Sequence, residues 1–182
     1  RKLSDLGLTG ISELTHFACT SEDINNLSYA LTISAAVREV WLPKFRSVIA
    51  ALRERAIELR DDAMLAHTHG QPATPTTMGK ELAVFVYRLD RILTQIEATE
   101  YLGKFSGATG TFAAHLAADA TQDWPAISNK FVTSLGLTWN PLTTQIESHD
   151  WQAELYSRIS HANRVLHNLC TDVWTYISMG YF

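Results

Sequence analysis

Cysteine is scarce in this chain, which has only two in 182 residues. Cys19 and Cys170 lie far apart and form no Cys-x-x-Cys pair, so the sequence offers neither a disulfide framework nor a thiol motif for metal or redox chemistry. Isolated thiols are typical of a reducing compartment. We therefore expect a cytoplasmic protein.

The chain also lacks an excess of charge of one sign and a long hydrophobic run. Its formal net charge is −4, and no dense basic patch interleaves with aromatic residues, which disfavours a nucleic-acid partner. No apolar run approaches the roughly 20 residues that span a bilayer, so no membrane partner is expected. With 46% hydrophobic and 19% charged residues, the composition is that of a globular domain with a real core.

Helical periodicity dominates the first third of the chain. Thr20 and Ser21 stand where an N-cap should be, and a long helix should follow from about residue 22 to 60. Pro43 should kink this helix or divide it in two. A brief helix is expected earlier, over 11–17. The inward positions predicted for the long helix are Ile24, Leu27, Leu31, Val48, Ile49, Leu52, Ala56 and Leu59.

Two further long helices are predicted, from about 76 to 104 and from about 149 onward, with a shorter one over 124–135 between them. Asp123 should cap the short helix and Gly136 should end it. The apolar stripes have bundle spacing: Leu82, Phe85, Leu89, Ile92 and Ile96 in one helix, and Leu155, Ile159, Ala162, Leu166, Leu169, Val173 and Tyr176 in the other. The fold class expected is therefore all-α, a long-helix bundle, with residues 64–67 as one short extended segment.

The densest chemical signal is the run from His67 to Glu81, His-Thr-His-Gly-Gln-Pro-Ala-Thr-Pro-Thr-Thr-Met-Gly-Lys-Glu. Glycine and two prolines interrupt any regular helix in its first half, whereas Thr76 and Thr77 can cap a helix that begins after Pro75. We therefore expect His69 on a rigid, irregular loop that leads into a helix N-terminus. A proton donor that faces an anion suits that place.

Three segments in order resemble one family. Residues 68–81 are similar to the second signature region of the adenylosuccinate lyases, which belong to the fumarase/aspartase superfamily. Residues 16–26, His-Phe-Ala-Cys-Thr-Ser-Glu-Asp-Ile-Asn-Asn, resemble the first signature region in its bacterial form. Residues 139–147, Trp-Asn-Pro-Leu-Thr-Thr-Gln-Ile-Glu, resemble the stretch that supplies a substrate-binding glutamine. The similarity runs essentially from end to end, through the central part of the family's chain.

The resemblance implies a carbon–nitrogen lyase of purine and AMP biosynthesis. Such an enzyme eliminates fumarate from adenylosuccinate to leave AMP, and also from the succinyl-aminoimidazole-carboxamide ribotide intermediate. A base removes a proton beside one carboxylate, an acid protonates the departing nitrogen, and donors stabilise the aci-carboxylate formed between. That chemistry requires no metal and no organic cofactor. The family also implies a homotetramer with a central helical bundle and shared active sites.

The resemblance implies roles for four residues. His69 matches the proton-transfer histidine and is the candidate catalytic acid. Thr20 and Ser21 are candidates for binding the fumarate-derived carboxylates, because hydroxyls at a helix N-terminus add donors to its amides. Gln145 matches the substrate-binding glutamine, often supplied across a subunit boundary.

Simpler interpretations hold for the neighbours of these residues. His67 and His69 are too few for a metal site, and no third ligand cluster lies near them in sequence. Residues 106–110 lack the ending of a phosphate-binding loop. Lys80 and Lys104 are candidates to assist with anions, but a lysine on a helix is usually solvated, and neither is counted among the site residues. Structural or packing roles are expected for Asp23, Asn25, Asn26, His115, His149, His161, His167, Trp139, Trp151 and Trp174.

The family's Ser-rich mobile loop, which carries the serine base, is absent from this sequence, as are the residues that hold the nucleotide phosphate. The chain begins without Met and ends in an apolar pattern, so we expect a piece of a longer protein, inactive by itself. Residues 1–20 should be a lead-in from the N-terminal domain, and 21–182 part of the central helical domain.

Two alternatives to this function remain open. The first is another fumarate-releasing lyase of the superfamily, of the argininosuccinate lyase or aspartase type, acting on a different C–N bond. The second belongs to another class, a non-catalytic helical oligomerisation module. Substrate screening separates the first alternative from an adenylosuccinate lyase. Replacement of His69 by alanine separates the second, because that change would have no functional effect in a scaffold.

Overall fold

The structure is a computed structural model that describes residues 2–181. It is predominantly helical, which confirms the all-α fold class, and its strands are short. The α-helices are α1 Lys2–Asp5, α2 Ser21–Ala35, α3 Leu42–Glu58, α4 Met78–Glu97, α5 Ala113–Ala118, α6 Trp124–Ser134 and α7 Asp150–Ser178. A 3₁₀ helix covers Thr9–His16, a π-helix Ala36–Trp41, and the strands are β1 Ala63–Thr68, β2 Gln71–Thr77, β3 Leu102–Gly103 and β4 Thr138–Trp139.

The chain forms two compact units, each built from separate stretches of sequence. The first contains the residues before Ala35 together with Glu100–Trp151, and the second contains Ala35–Thr99 together with the residues from Gln152 onward. Among residues 2–181, no helix combines the length and the apolarity of a membrane span.

The first unit contains a pair of two-residue strands that is bonded to α6. β3 and β4 pair in parallel, with Leu102 opposite Thr138 and Gly103 opposite Trp139. The Trp139 indole N–H donates to Ser128 Oγ on α6 at 3.1 Å, and that hydroxyl donates to the carbonyl of Phe105 at 2.6 Å. These bonds fix β4, and the Phe105 loop that follows β3, to α6.

In the second unit α4 packs along α3 with its apolar stripe inward. All five positions of the predicted stripe, Leu82, Phe85, Leu89, Ile92 and Ile96, are buried. The α3 face contributes Phe45, Ile49 and Ala56. Exposed ion pairs, Arg46–Glu97 and Arg53–Asp90, bridge the two helices at the surface.

The predicted break at Pro43 takes the form of a π-helix. Proline has no N–H for the carbonyl four residues earlier, and its ring crowds that carbonyl. The helix widens over Ala36–Trp41 instead of stopping, and the Leu42 N–H donates to Val37 O, five residues back. Helix α2, the π-helix and α3 therefore follow one another in the chain without an intervening loop.

The run around His69 differs from the prediction, because it is a β-hairpin rather than an irregular loop. β1 and β2 are antiparallel, with a bulge between Leu65 and His67, and Thr68 opposite Gln71 closes the turn. Proline is tolerated because both strands of an isolated pair are edges. The helix that follows begins at Met78, and Thr77 caps it by accepting the Lys80 N–H at 3.2 Å.

Several other helix predictions need correction. α4 ends at Glu97, so residues 98–104 are not helical, and α5 was missed. Ile24, Leu31 and Val48 were predicted to face inward, yet each is exposed. The buried face of α2 contains Asp23, Asn26 and Ser34 beside its apolar residues. Apolar periodicity fails here because polar side chains occupy part of the inner face.

Candidate active site

The N-terminus of α2 presents Thr20 and Ser21. The Asp23 carboxylate accepts the Thr20 N–H at 2.9 Å, and the Asp23 N–H donates to the Thr20 carbonyl at 3.0 Å. This is half of a capping box, in which the acidic side chain reaches back to the cap residue. Thr20 is buried, whereas Ser21 is exposed.

Gln145 meets Thr20 at this helix end. Its side-chain Nε2 donates to Thr20 Oγ1 at 3.1 Å, across 125 positions of sequence. The hydroxyl accepts this bond and keeps its own O–H as a donor. Two residues singled out from separate motifs are thus in direct contact, next to the amides that begin α2.

Asp23 is the centre of a buried polar cluster in the first unit. Its Oδ1 accepts Lys104 Nζ at 2.8 Å and the Ser106 N–H at 3.0 Å, and its Oδ2 accepts the Gly107 N–H at 3.1 Å besides that of Thr20. Both side chains of the Asp23–Lys104 ion pair are 0% exposed. Both carboxylate oxygens are therefore fully used as acceptors.

This environment fixes the charge of Asp23. Burial alone would raise the pKa of its carboxyl, but hydrogen bonds from Lys104, Thr20 and Ser106 outweigh burial and hold that pKa below its usual value. Burial, with the charge of Asp23 second, raises the pKa of the nearby Cys19 thiol. That thiol is consequently a poor nucleophile.

The interpretation of Lys104 as a solvated helix lysine is wrong. Lys104 lies beyond the end of α4 and is fully buried. Asn26 binds its backbone on both sides, accepting the Lys104 N–H at 2.8 Å and donating to the Lys104 carbonyl at 3.0 Å. Lys104 Nζ also donates to Gly107 O at 3.0 Å. A buried charge persists only where it is paired in this way.

A second buried carboxylate, Glu147, shapes the loop that holds Gln145. Glu147 is 0% exposed and accepts Asn140 Nδ2 at 2.9 Å and the His149 N–H at 2.7 Å. His149 Nδ1 lies 3.3 Å from Glu147 Oε2, and its Nε2 lies 3.9 Å from Glu22 Oε1. Residues 142–144 and 146–149 line an open cavity of about 660 Å³. The loop thus places a groove beside Gln145.

His69 belongs to the second unit, where it occupies the hairpin turn. His69 and Gly70 have φ values of 53° and 74°, the two positive values of a type I′ turn. The His69 side chain is exposed at this tip. Its neighbour His67 is engaged elsewhere, because its Nδ1 lies 3.3 Å from the Tyr181 hydroxyl. The sequence therefore places a solvent-accessible imidazole on a rigid turn.

His115, expected to be structural, is buried at 2% exposure in the first unit. Phe105, Phe112 and Trp124 surround its ring, with centroids 6.1, 5.5 and 5.0 Å away. Neither ring nitrogen has a hydrogen-bond partner among residues 2–181. Burial lowers its pKa, which keeps the ring neutral.

Sequence reasoning missed the polar groups beneath the site. The spacing of Thr20 and Asp23 is that of a capping box and was a usable signal for their contact. Nothing in the sequence around Lys104 or Glu147 signalled complete burial.

Within the described part of the chain, no group of three or more His, Cys, Asp or Glu side chains is arranged to hold a metal ion. Trp174, expected to pack, is 72% exposed.

Comparison with known proteins gives a consistent result. A family model described as lyase matches residues 6–182. The adenylosuccinate lyase of Escherichia coli (strain K12) is 50% identical over 175 residues, which are 96% of this chain and 38% of that protein. The adenylosuccinate lyase of Vibrio cholerae (strain ATCC 39541) is 51% identical over 176 residues, or 96% of this chain and 39% of that protein.

A solved structure is also similar. The crystal structure of fumarate lyase from Mesorhizobium sp. BNC1 matches with a TM-score of 0.77 and 26% sequence identity, over 89% of this chain and 37% of that chain. The present chain therefore spans under two fifths of the length of these relatives, 37–39%.

Proposed function

Because this chain belongs to the lyase family whose model matches residues 6–182, we propose that the full-length gene product that carries it is an adenylosuccinate lyase. The reaction is elimination of fumarate from adenylosuccinate to give AMP, and from the corresponding succinyl-carboxamide ribotide. The observation that carries this proposal is the hydrogen bond between Thr20 and Gln145. It joins two of the three family-like motifs at a helix N-terminus suited to a carboxylate.

The α2 N-terminus supplies what a departing dicarboxylate needs. The first amides of a 15-residue helix point outward and carry partial positive charge. Thr20 and Ser21 add hydroxyl donors, and Gln145 adds an amide. In an elimination through an aci-carboxylate, such donors lower the barrier when they are aimed at the oxygens that gain charge.

His69 supplies the acid in this proposal. A histidine titrates near neutral pH and can deliver a proton to the departing nitrogen. The two-residue turn gives its backbone little freedom, which favours a fixed position for the ring. The base and the nucleotide-phosphate contacts would come from elsewhere in the full-length protein. No cofactor or metal is part of the proposed chemistry.

The assembly and compartment belong to the proposal as well. We expect a cytoplasmic homotetramer in which neighbouring subunits complete one another's sites. Adenylosuccinate is the small-molecule partner, with neither nucleic acid nor membrane as a further partner. The isolated 182-residue chain should not turn over substrate.

The test is fumarate release from adenylosuccinate by the full-length gene product. We expect the full-length protein to release fumarate and residues 1–182 alone to release none. A folded oligomer that releases no fumarate from adenylosuccinate would overturn the proposal. Argininosuccinate and aspartate would then be assayed, since turnover of either identifies a sister lyase. Absence of turnover with all three would favour a non-catalytic helical module.

A further inference from the structure

The Asp23–Lys104 ion pair has a desolvation cost, because both charges are withdrawn from water. Both side chains are 0% exposed, with Lys104 Nζ 2.8 Å from Asp23 Oδ1. Desolvation of two charges offsets most of their attraction, so well-packed apolar residues often stabilise such a position equally well. We therefore look for a role of the pair other than stabilisation, and its hydrogen-bond partners indicate one.

Asp23 ties the start of α2 to the loop that follows β3. One carboxylate accepts the backbone N–H groups of Thr20, Ser106 and Gly107. Lys104 Nζ closes the loop by donating to Gly107 O at 3.0 Å. The Asp23–Lys104 pair thus fixes the Thr20 backbone and residues 104–107 relative to one another.

The same loop also lies against the segment that bears Gln145. Gly110 lies against the backbone of Thr143 and Thr144, so close that a Cβ at this position would overlap their carbonyl groups. Asp23 therefore sets the place of Thr20 directly, and through the 104–110 loop it supports the place of Gln145.

The charge of Lys104 has a second effect. Asp23 lies in the first turn of α2, where an uncompensated negative charge would oppose a dicarboxylate at the same helix end. Lys104 cancels that charge at 2.8 Å. The hydrogen bonds of a carboxylate are kept, while its repulsion toward an anion is removed.

We propose that Asp23 and Lys104 are a positioning pair for the dicarboxylate half of the substrate, an inference that rests on the proposed function. Neither residue touches the substrate. Asp23 orients the Thr20 donors and the 104–107 loop, and Lys104 keeps the helix end receptive to anions. Asparagine cannot replace Asp23, because it offers one acceptor oxygen where two are used.

The test is the double variant Asp23→Asn/Lys104→Met in the full-length protein, which removes both charges and leaves neither unpaired. The matched control is Arg46→Met/Glu97→Gln, which neutralises an exposed pair. We expect kcat/KM for adenylosuccinate to fall about 100-fold in the test variant, largely through KM, because small misplacements of binding groups cost this much. The control should match the wild type. Unchanged KM and kcat in a folded double variant would overturn the inference.

Two further measurements test the inference even if the double variant does not assemble or the proposed function is wrong. Asp23→Glu retains both charges but displaces the carboxylate, so it should lower kcat/KM by about tenfold even where the double variant does not assemble. A crystal structure of either variant should show the Thr20 Oγ1 to Gln145 Nε2 distance lengthened beyond 3.1 Å. An unchanged distance would overturn the inference whether or not the protein is a lyase. An inactive wild type, by contrast, would overturn the proposed function.

Discussion

Gln145 donates its side-chain amide to the Thr20 hydroxyl at 3.1 Å, and this single bond joins residues 125 positions apart. Thr20 begins a helix and Gln145 lies on a loop, so neither local structure predicts the other. Two buried carboxylates, Asp23 and Glu147, hold the two sides of the bond. The contact is therefore built by the fold of the first unit.

We predict that Thr20→Val and Gln145→Ala each lower kcat/KM in the full-length protein by about 1.5–3 kcal/mol of transition-state stabilisation, the value of a hydrogen bond to a charged group. Because the two side chains touch, their effects should be non-additive by about 0.5–3 kcal/mol in a double-mutant cycle. Steady-state kinetics of the two single variants and the double variant measure this coupling.

Ser28→Ala is the control for that cycle. Ser28 is exposed on the same helix, and its hydroxyl donates to the helix backbone at Ile24 O. It should leave kcat/KM unchanged. Strict additivity of the Thr20 and Gln145 effects would show that the two residues do not act on one substrate group.

His69→Asn should lower kcat by about 10²- to 10⁴-fold, the usual contribution of a general acid. Asparagine is chosen because position 69 has φ 53°, and Asn-Gly is the preferred pair in a type I′ turn. Loss of activity then reports loss of the imidazole rather than of the turn. Fumarate release and helical circular dichroism are measured together.

His67→Gln is the matched control on the same hairpin. Its side chain is exposed, and surface substitutions usually change stability by about 0.5 kcal/mol or less. Activity should stay near that of the wild type. Equal losses in the two variants would contradict a specific acid role for His69.

Part of this fold follows from sequence alone. α6 begins after Asp123, which caps it by accepting the Ala126 N–H at 3.0 Å, as predicted. The apolar stripe on α4 is buried as predicted. Because the opposite side of this helix faces solvent, its apolar residues keep the regular spacing of a single helix face. Such local signals need no knowledge of the rest of the chain.

The remainder depends on partners distant in sequence. Pro72 and Pro75 concealed β2, because the alternation that marks a strand is missing there. Lys104 resembles any surface lysine until Asp23 and Asn26 surround it, 81 and 78 positions away. The sequence could name Thr20, Ser21, His69 and Gln145 as candidate site residues through family resemblance. It could not show what holds two of them together.

Gly110→Ala should destabilise the protein more than Gly136→Ala. Both glycines have positive φ, 72° and 78°, where a side chain costs about 1–2 kcal/mol. A Cβ at Gly136 meets open space, but at Gly110 it overlaps the backbone of Thr143. A backbone carbonyl cannot swing aside as a side chain can, so Gly110→Ala should cost about 1–3 kcal/mol more.

Denaturant unfolding of the two full-length variants gives the comparison. Gly110→Ala should also lower kcat/KM, because the displaced segment bears Gln145. Equal midpoints of unfolding for the two variants would show that the 104–110 loop shifts to accommodate the extra atom and does not support residues 143–145.

His115 should make the first unit less stable as the pH falls below neutrality. Burial lowers its folded pKa below the ordinary 6.5, an effect to which the charge of Lys104 adds and which that of Asp23 opposes. Below about pH 6.5 the unfolded chain therefore binds a proton that the folded chain excludes, and the slope is at most about 1.4 kcal/mol per pH unit. The stability that the neutral His115 ring provides is complete above pH 6.5 and is lost as the pH falls toward the folded pKa.

The variant His115→Leu removes the titrating ring but keeps an apolar group among Phe105, Phe112 and Trp124. The unfolding free energy of this variant should therefore fall less steeply between about pH 6.5 and 5. Amide hydrogen exchange in α5 and α6, measured at several pH values in both proteins, provides the comparison. Parallel pH profiles would mean that the protonated ring is accommodated in the fold, contrary to its burial without a partner among residues 2–181.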